Sequence, residues 1–365
     1  MSELDNTRKK INDIDKQMAS LYEERMKCSY EVAKYKMANA LPIFDANREK
    51  EVIENNSKYI EDDTIREYYI DFLKHTMDIS KKYQNRIIQG MKVAYSGVEG
   101  AFAHIAAMKM FPGAQYIPYP SFEDAYNAVV SSECDTCVLP LENSFAGDVG
   151  LVMDLVFSGS LYVNQVIELE IIQNLMANKG TKKEDIKKVV SHQQALNQCR
   201  EFINSKGYDQ EEMSNTAVAA KFVAENNDNS IAAIASNATA DIYGLEIIES
   251  NINSKNNNTT RFGAFSRTLN EQTNKAKMGN HFILVFTVKN EAGALAKTLN
   301  IIGSHGFNMR SLRSRPMKDL IWNYYFYVEL EGNINSNEGK DMLKALNIFC
   351  DKLKLVGTYV YKIEK

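Results

Sequence analysis

Several features that would place this chain in a common functional class are scarce in its sequence. Its 365 residues include 43 basic and 47 acidic side chains, so it lacks the strong positive charge of a nucleic-acid-binding protein. It has no run of about 18 apolar residues, and we expect neither a membrane-spanning helix nor a membrane partner. Its polar, charged start lacks the apolar core of a signal peptide, which predicts a cytoplasmic protein.

Cysteines are few and widely spaced, at Cys28, Cys134, Cys137, Cys199 and Cys350. Cys134 and Cys137 form one C-x-x-C pair, but no second pair or histidine follows at metal-ligand spacing. A metal or redox site there is a minor alternative to reduced structural cysteines. We therefore expect no metal and no cofactor.

Glycine is absent from residues 1–89, and Pro42 is the only proline among them, which favours a helical segment. Apolar residues recur every three or four positions in two stretches on either side of Leu41-Pro42. We expect a long helix, a short helix capped by Asp45, and a second long helix capped by Asp62 or Asp63.

The remainder of the chain has a different pattern. Residues 91–268 alternate short β-rich runs with helical stretches, which is typical of an α/β domain. Residues 269–279 are polar and patternless, which indicates a linker. Residues 280–365 predict the order β-α-β-β-α-β, a ferredoxin-like α+β domain. Residues 1–90 complete a multidomain chain as an all-α helical domain.

A charged residue interrupts the apolar stripe of the first helix. An unpaired charge at Arg25 would cost several kcal/mol, so it needs a carboxylate from either a structural glutamate or a ligand. Lys36 lies about 20° round the helix and ~16 Å along it, close enough to share one small anion. Arg8 lies about 25 Å before Arg25, so if Arg8 also binds the ligand, it must serve a site on an antiparallel partner chain.

Further polar residues recur at helical spacing on the other two predicted helices, at Asp45, Arg48, Glu49, Ser80 and Gln84. With Arg8, Arg25 and Lys36, they match in type and order the binding residues of AroQ-type helical chorismate mutases, which residues 1–90 resemble.

This resemblance implies that chorismate rearranges to prephenate without a nucleophile, metal or proton relay. It implies that Arg25 and the partner's Arg8 bind the two carboxylates. Glu49 would hold the ring hydroxyl, while Lys36 and Gln84 donate to the ether oxygen.

Hydroxyl and amide residues cluster at predicted strand ends in the α/β region, where open sheets bind ligands. The segments are Gly97–Gly100, Pro140–Ser144, Ser191–Cys199, Asn215–Ala217 and Thr259–Phe262. The glycine turn is either an anion-binding junction or a tight connection. His192 fits a helix start better than a catalytic base, because no nucleophile motif accompanies it.

These segments together resemble prephenate dehydratase over residues 91–268. The resemblance implies two lobes, like a periplasmic binding protein, and conversion of prephenate to phenylpyruvate, CO2 and water in the cleft. It implies that Thr260 donates or positions a proton for the departing hydroxide and that Arg261 anchors a carboxylate. Asn143, Ser191 and Gln198 would line the cleft. Ala101, Ala103 and Gln193 depart from the family's motifs.

The C-terminal region carries Ala292-Gly293-Ala294-Leu295 at a helix start and Ser314-Arg315-Pro316 at a strand end. These segments resemble the amino-acid-binding ACT domain of dehydratases. The resemblance implies that all seven residues form an allosteric site for phenylalanine and that the domain pairs across a dimer. Arg313 stands where the family has glutamate. A dimerisation module without a ligand is the alternative.

The three resemblances, in this order, are those of the bifunctional chorismate mutase/prephenate dehydratase family. They imply an enzyme of L-phenylalanine biosynthesis that acts on chorismate and prephenate, is inhibited by L-phenylalanine, and is at least a homodimer. One alternative is a mutase fused to an arogenate dehydratase. Another is a non-catalytic sensor of aromatic metabolites.

Overall fold

The structure is a computed structural model that describes residues 2–39, 41–254, 258–269, 280–317 and 324–360. Two compact units make up the chain, Met1–Lys92 and Val93–Lys365. The predicted linker lies outside the described residues except for Leu269. Within the described ranges, no helix is long and apolar enough to cross a membrane.

The first unit is helical. Its elements are α1 (Glu3–Ala38), α2 (Ala46–Asn56), a 3-10 turn (Ser57–Tyr59) and α3 (Asp63–Gln89). The Asp45 carboxylate accepts from the Arg48 backbone N–H at 3.0 Å and starts α2. Asp62 accepts from the Thr64 backbone N–H at 2.8 Å and starts α3. The predicted order of helices and both predicted caps are confirmed.

The apolar stripe of α1 is largely exposed in one copy of the chain. Ile11, Ile14, Met18 and Leu21 have exposed fractions between 46% and 65%. The buried residues of α1, Ser29 and Ala33, lie in its C-terminal half. The N-terminal half of this helix therefore presents an apolar face that a single chain leaves uncovered.

The second unit begins with two lobes of mixed α/β structure. The first lobe contains β1 (Lys92–Ser96), α4 (Phe102–Met110), β2 (Gln115–Tyr119), α5 (Phe122–Val130), β3 (Thr136–Asn143), β4 (Gly147–Asp148), α6 (Gly150–Ser158), β5 (Tyr162–Glu170) and the returning strand β11 (Thr259–Ser266). The second contains β6 (Asn174–Ala177), β7 (Lys188–Ser191), α7 (Gln193–Gln198), α8 (Arg200–Lys206), β8 (Asp209–Glu212), α9 (Thr216–Asn226), β9 (Ile231–Ala235), α10 (Asn237–Tyr243) and β10 (Glu246–Glu249).

The chain passes from the first lobe to the second after β5 and returns at β11. The second lobe has a five-stranded sheet in the order β10-β6-β9-β7-β8, in which β7 is parallel to β8 and β9. In the first lobe β1 is parallel to β3, and β11 pairs antiparallel with β3 and β5. This double crossing produces the two-lobed arrangement that was expected.

The C-terminal domain has the predicted order of elements. It contains β12 (Asn280–Val288), α11 (Ala294–Ser304), β13 (Asn308–Pro316), β14 (Tyr324–Glu331), α12 (Asn337–Phe349) and β15 (Cys350–Val360). Alternate residues of its sheet point to opposite faces. Phe282 and Leu284 are in the core with Ile302 of α11. Ile283 and Tyr325 are instead in the core of the first lobe.

The sheet of the first lobe and the sheet of the C-terminal domain join through β15 and β5. The combined sheet has ten strands, in the order β13-β14-β12-β15-β5-β11-β3-β1-β2, with β4 paired to β3. Gly357 of β15 lies opposite Val163 of β5. A Cβ atom at position 357 would lie 1.9 Å from the Val163 carbonyl oxygen. This contact requires glycine, because the strands approach too closely for any side chain.

Candidate active sites

All three helices of the first unit contribute to a cavity of about 310 Å³. Seven of the eight predicted mutase residues line it: Arg25, Lys36, Asp45, Arg48, Glu49, Ser80 and Gln84. Arg8 does not, because it lies on the exposed N-terminal part of α1. The structure thus gathers residues from three separate helices around one space.

Arg25 and Lys36, the two α1 cations of the predicted site that line the cavity, donate hydrogen bonds to neutral acceptors. Arg25 donates from Nη1 to Ser80 Oγ and to the Thr76 carbonyl at 3.5 Å. Lys36 Nζ donates to the Ile43 carbonyl. No acidic side chain pairs with Arg25 within the described part of the chain. The alternative that Arg25 serves a structural glutamate is therefore not what the structure shows.

Lys81 is a cavity residue that the sequence analysis missed. Its Nζ lies 2.7 Å from Glu49 and 2.9 Å from Asp78, and the hydrogen bond to Glu49 is the main reason that its pKa is raised. Its spacing to Asp78 is that of an ordinary solvent-exposed helical pair, so the sequence gave no distinguishing signal.

Two of the four cations that line this cavity lack a carboxylate partner among the described residues. Its lining has four cations, Arg25, Lys36, Arg48 and Lys81, against two carboxylates, Asp45 and Glu49. Arg48 bonds Glu51 and Lys81 bonds Asp78, both from outside the lining, so the uncompensated charge of +2 belongs to Arg25 and Lys36. An anion with two carboxylates has the complementary charge.

A larger cavity of about 670 Å³ lies between the two lobes of the second unit. The loop after β3 contributes Phe145 and Ala146, and α7 contributes Gln194 and Gln198. The remaining lining residues are His192, Gln193, Asn197, Arg200, Glu201, Asn253, Ser254 and Asn258. Of the predicted dehydratase residues, Gln198 therefore lines the cavity directly.

Asn143 organises the wall behind this cavity. Its Nδ2 donates to Asn258 Oδ1 and to Thr260 Oγ1, each at 2.9 Å. Its Oδ1 accepts from the backbone N–H groups of Phe145 and Ala146, at 3.0 and 2.9 Å. Because Thr260 Oγ1 accepts a hydrogen bond from Asn143 Nδ2, the Thr260 hydroxyl can donate its own hydrogen to another acceptor.

Asn258 is a second residue that the sequence analysis missed. It lines the cavity, is 2% exposed, and its Nδ2 has no hydrogen-bond partner among the described residues. A buried donor without a partner is costly, which makes this amide a candidate ligand contact. Its position directly before Thr259-Thr260, at a strand start, was the available sequence signal.

Asn143, Ser191, Thr260 and Arg261 are not among the described residues that line the cavity. Ser191 Oγ donates to the Ile234 carbonyl at 2.6 Å and joins β7 to β9. Arg261 donates from Nη1 and Nη2 to the two oxygens of Glu329, both at 2.8 Å. The structure thus corrects the prediction for Arg261, because it follows Thr260 on a strand and so points to the opposite face.

Glu329 is fully buried beside this guanidinium. Burial alone would raise its pKa, but the hydrogen bonds and charge of Arg261 hold the pKa below the ordinary glutamate value. The pair links β11 of the first lobe to β14 of the C-terminal domain. The pair therefore joins these two domains.

The predicted glycine turn is a tight connection rather than an anion site. Gly100 N donates to His104 Nδ1 at 3.1 Å, so that N–H group is already used. Tyr243 of the second lobe donates from its hydroxyl to the Glu99 carbonyl at 2.8 Å. His192 caps α7, as its position at a helix start suggested.

The predicted allosteric residues divide between two faces. Gly293 has φ +81° immediately before α11, and Ala292 is exposed beside it, while Ala294 and Leu295 are half-buried. Ser314 and Pro316 are exposed on β13. Arg315 instead donates from Nε to Asp154 of α6 at 3.0 Å, which corrects its assignment as an effector contact.

Family comparisons match the three regions in order. A family described as Chorismate mutase type II matches residues 7–85, Prephenate dehydratase matches residues 93–270, and ACT domain matches residues 282–347.

Individual proteins extend these matches. A bifunctional chorismate mutase/prephenate dehydratase of Aquifex aeolicus is 30% identical over 98% of both chains. Arogenate dehydratase/prephenate dehydratase 2 of Arabidopsis thaliana is 33% identical over 74% of this chain and 72% of its own. The crystal structure of prephenate dehydratase in complex with L-Phe from Arthrobacter aurescens is 27% identical, with a TM-score of 0.67, over 74% of this chain and 90% of its own.

Proposed function

Because this chain belongs to the bifunctional chorismate mutase/prephenate dehydratase family, we propose that its two cavities are the sites of these two reactions. The chain is an enzyme of L-phenylalanine biosynthesis: it converts chorismate to prephenate, and prephenate to phenylpyruvate, CO2 and water. The observation that supports the site assignment most strongly is that seven predicted mutase residues line one cavity, in which Arg25 and Lys36 bond only neutral groups among the described residues.

In the mutase cavity, Arg25 binds one substrate carboxylate and Glu49 holds the ring hydroxyl. Lys36 and Gln84 donate to the ether oxygen, where negative charge grows in the transition state. A 10⁶-fold acceleration needs about 8 kcal/mol. One preorganised donor supplies roughly 3–4 kcal/mol, and restriction of the substrate to a reactive conformer adds to it.

Arg8 completes this site only from a second copy of the chain. On its own chain it lies seventeen residues, or about 25 Å, from Arg25 along α1. The exposed apolar stripe at Ile11, Ile14, Met18 and Leu21 provides a surface that an antiparallel α1 would cover. A homodimer in which each copy lends Arg8 to the other is therefore the proposed assembly.

In the dehydratase cavity, Thr260 donates a hydrogen bond to the departing ring hydroxyl. The bond from Asn143 orients the Thr260 oxygen, and the Asn258 amide offers a second donor. Arg200 lines this cavity and takes the role of carboxylate anchor that Arg261 does not fill. Aromatisation of the ring on loss of CO2 supplies the driving force.

The C-terminal domain is proposed to inhibit the dehydratase when it binds phenylalanine. Ala292, Gly293, Ala294, Leu295, Ser314 and Pro316 are its proposed contacts. Support comes from the match to the ACT domain and from the L-Phe complex of the Arthrobacter aurescens relative. The proposed domain boundaries are 1–90, 91–268 and 280–365. A cytoplasmic location is proposed because none of the five cysteines forms a disulfide.

A time course with the purified chain and chorismate tests the proposal. Prephenate should appear first and phenylpyruvate second, and added phenylalanine should slow only the second step. A chain that binds these compounds without turnover would instead be a sensor. Because the Arabidopsis thaliana relative is named for arogenate as well, arogenate is the second substrate to supply. A higher kcat/KM for arogenate would reassign the dehydratase specificity.

A further inference from the structure

A short hairpin forms one edge of the dehydratase cavity. It comprises residues 143–148, where the end of β3 turns back into the two-residue strand β4. Phe145 and Ala146 at its tip line the cavity, and residues 144–148 are exposed. Because β4 is only two residues long, the backbone pairing of this hairpin is slight. We call it the 143–148 hairpin.

Two carboxylates face each other at the base of the 143–148 hairpin. Glu142 and Asp148 are directly opposite residues in the β3–β4 pairing. Like charges at opposite positions of an antiparallel pair destabilise it. Burial, together with the charge of Glu142, raises the pKa of Asp148. The hairpin therefore needs a cation between these two residues.

Arg313 of the C-terminal domain supplies that cation. Its Nη2 lies 2.7 Å from Glu142 and its Nε lies 2.5 Å from Asp148. The guanidinium also lies over the ring of Tyr327, with Cζ 5.7 Å from the centroid. Glu142 has a second cation in Arg261 at 3.5 Å. A glutamate at position 313, as in the related ACT motif, would instead add a third carboxylate.

We propose that Arg313 is a positioning residue for the dehydratase reaction, because it clamps both strands of the 143–148 hairpin and so holds Asn143 against Thr260. This inference rests on the function proposed for the cavity between the lobes. It makes the C-terminal domain part of the machinery that shapes this site, in addition to any effector that the domain binds.

The test compares variants of the full chain. Arg313→Gln should lower kcat/KM for the conversion of prephenate to phenylpyruvate by about tenfold to a hundredfold, with most of the loss in kcat, because small displacements of catalytic groups have effects of this size. Chorismate mutase activity of the same preparation should be unchanged. Exchange of Arg313 and Asp148 (Arg313→Asp with Asp148→Arg) restores the cation between the carboxylates and should recover most of the rate.

A matched control removes a different bond between the same domains. Lys354 donates from Nζ to the Val156 carbonyl at 2.8 Å, at the end of α6 and away from the hairpin. Lys354→Met should therefore keep the wild-type dehydratase kcat/KM. Hydrogen–deuterium exchange gives a readout that needs no turnover: the Phe145 and Ala146 amides, bonded to Asn143 Oδ1, should exchange faster in Arg313→Gln and not in Lys354→Met.

Wild-type kcat/KM and wild-type exchange at these two amides in Arg313→Gln would overturn the proposal. An equal loss in Lys354→Met would also overturn it, because general loosening of the domain junction would then be the cause. If Arg313→Gln does not fold, the exchanged pair decides, and its failure to fold or to turn over would count against the clamp. If the wild-type chain does not convert prephenate, the proposed function fails, while amide exchange still decides the role of Arg313.

Discussion

Adjacent residues of β11 have different partners, and the geometry of the strand determines which partner each one meets. Thr260 and Arg261 are adjacent in sequence, yet Thr260 bonds Asn143 behind the cavity and Arg261 is bound to Glu329 in the C-terminal domain. The period of two along a strand could have predicted that they diverge. The identity of the partner could not be predicted, because Glu329 is 68 residues away in sequence.

Replacement of Lys36 should separate the two activities. Lys36→Ala removes a proposed donor to the ether oxygen, and we expect mutase kcat to fall by about a thousandfold. Far-UV circular dichroism and turnover of supplied prephenate should stay at wild-type levels. Lys34→Ala is the matched control, because Lys34 is on the same helix and pairs with Glu31 at the surface. Substantial mutase turnover in Lys36→Ala would contradict the assignment.

Replacement of Thr260 should have the opposite selectivity. Thr260→Ala removes the proposed hydroxyl donor, and dehydratase kcat should drop by roughly 10²–10⁴-fold, the range for a positioned proton donor. Thr260→Ser keeps the hydroxyl and should retain most of the rate. Steady-state assays with chorismate and with prephenate measure both steps. Parallel loss of mutase activity would indicate misfolding instead.

Buried His104 should make stability depend on pH. Its Nδ1 accepts from Gly100 N, and burial lowers its pKa below the ordinary 6.5. Below about pH 6.5 the unfolded chain binds a proton that the folded chain does not. The free energy of unfolding should therefore decrease as the pH decreases, by at most about 1.4 kcal/mol per pH unit for this group.

Urea titrations between pH 7.5 and 5.5 measure this dependence. His104→Gln removes the titrating ring, so the variant should lose less stability over that interval than the wild type. Equal slopes for the two proteins would show that His104 does not carry the effect. Burial also lowers the pKa of His281, so some dependence of stability on pH should remain in both the wild type and His104→Gln.

The order of the helices and strands was more predictable than the pairing of strands between domains. The helix order in residues 1–90, the Asp45 and Asp62 caps, and the β-α-β-β-α-β order all follow from periodicity and capping chemistry. The union of the two sheets through β15 and β5 was not predictable, because the alternation of a strand does not specify its neighbour. The sequence feature that fits this junction is Gly357, where β15 approaches β5 closely.

Gly357→Ala should weaken this junction. The new Cβ would overlap the Val163 carbonyl, and overpacking of this kind costs about 1–3 kcal/mol. Gly303→Ala is the control, because nothing lies within 4 Å of its Cβ and alanine favours the interior of α11. We expect the thermal midpoint to decrease in Gly357→Ala and not to decrease in Gly303→Ala. Equal midpoints would mean that the strands separate easily.

The proposed dimer belongs to the scale of the whole molecule and can be tested by complementation. Arg8→Ala and Arg25→Ala should each be inactive as mutases. Co-expressed, they should form hybrids with one intact site of two, and random pairing gives about a quarter of the wild-type sites. No recovery in hybrids that sediment as dimers would show that Arg8 does not act across the interface.

The shared ten-stranded sheet restricts how this molecule can be divided. A chain cut after residue 269 would leave β5 with a long open edge and would strip Ile283 and Tyr325 from the core of the catalytic lobe. Such edges invite association with other chains. Removal of the C-terminal domain would therefore be expected to yield insoluble protein rather than an enzyme without feedback inhibition.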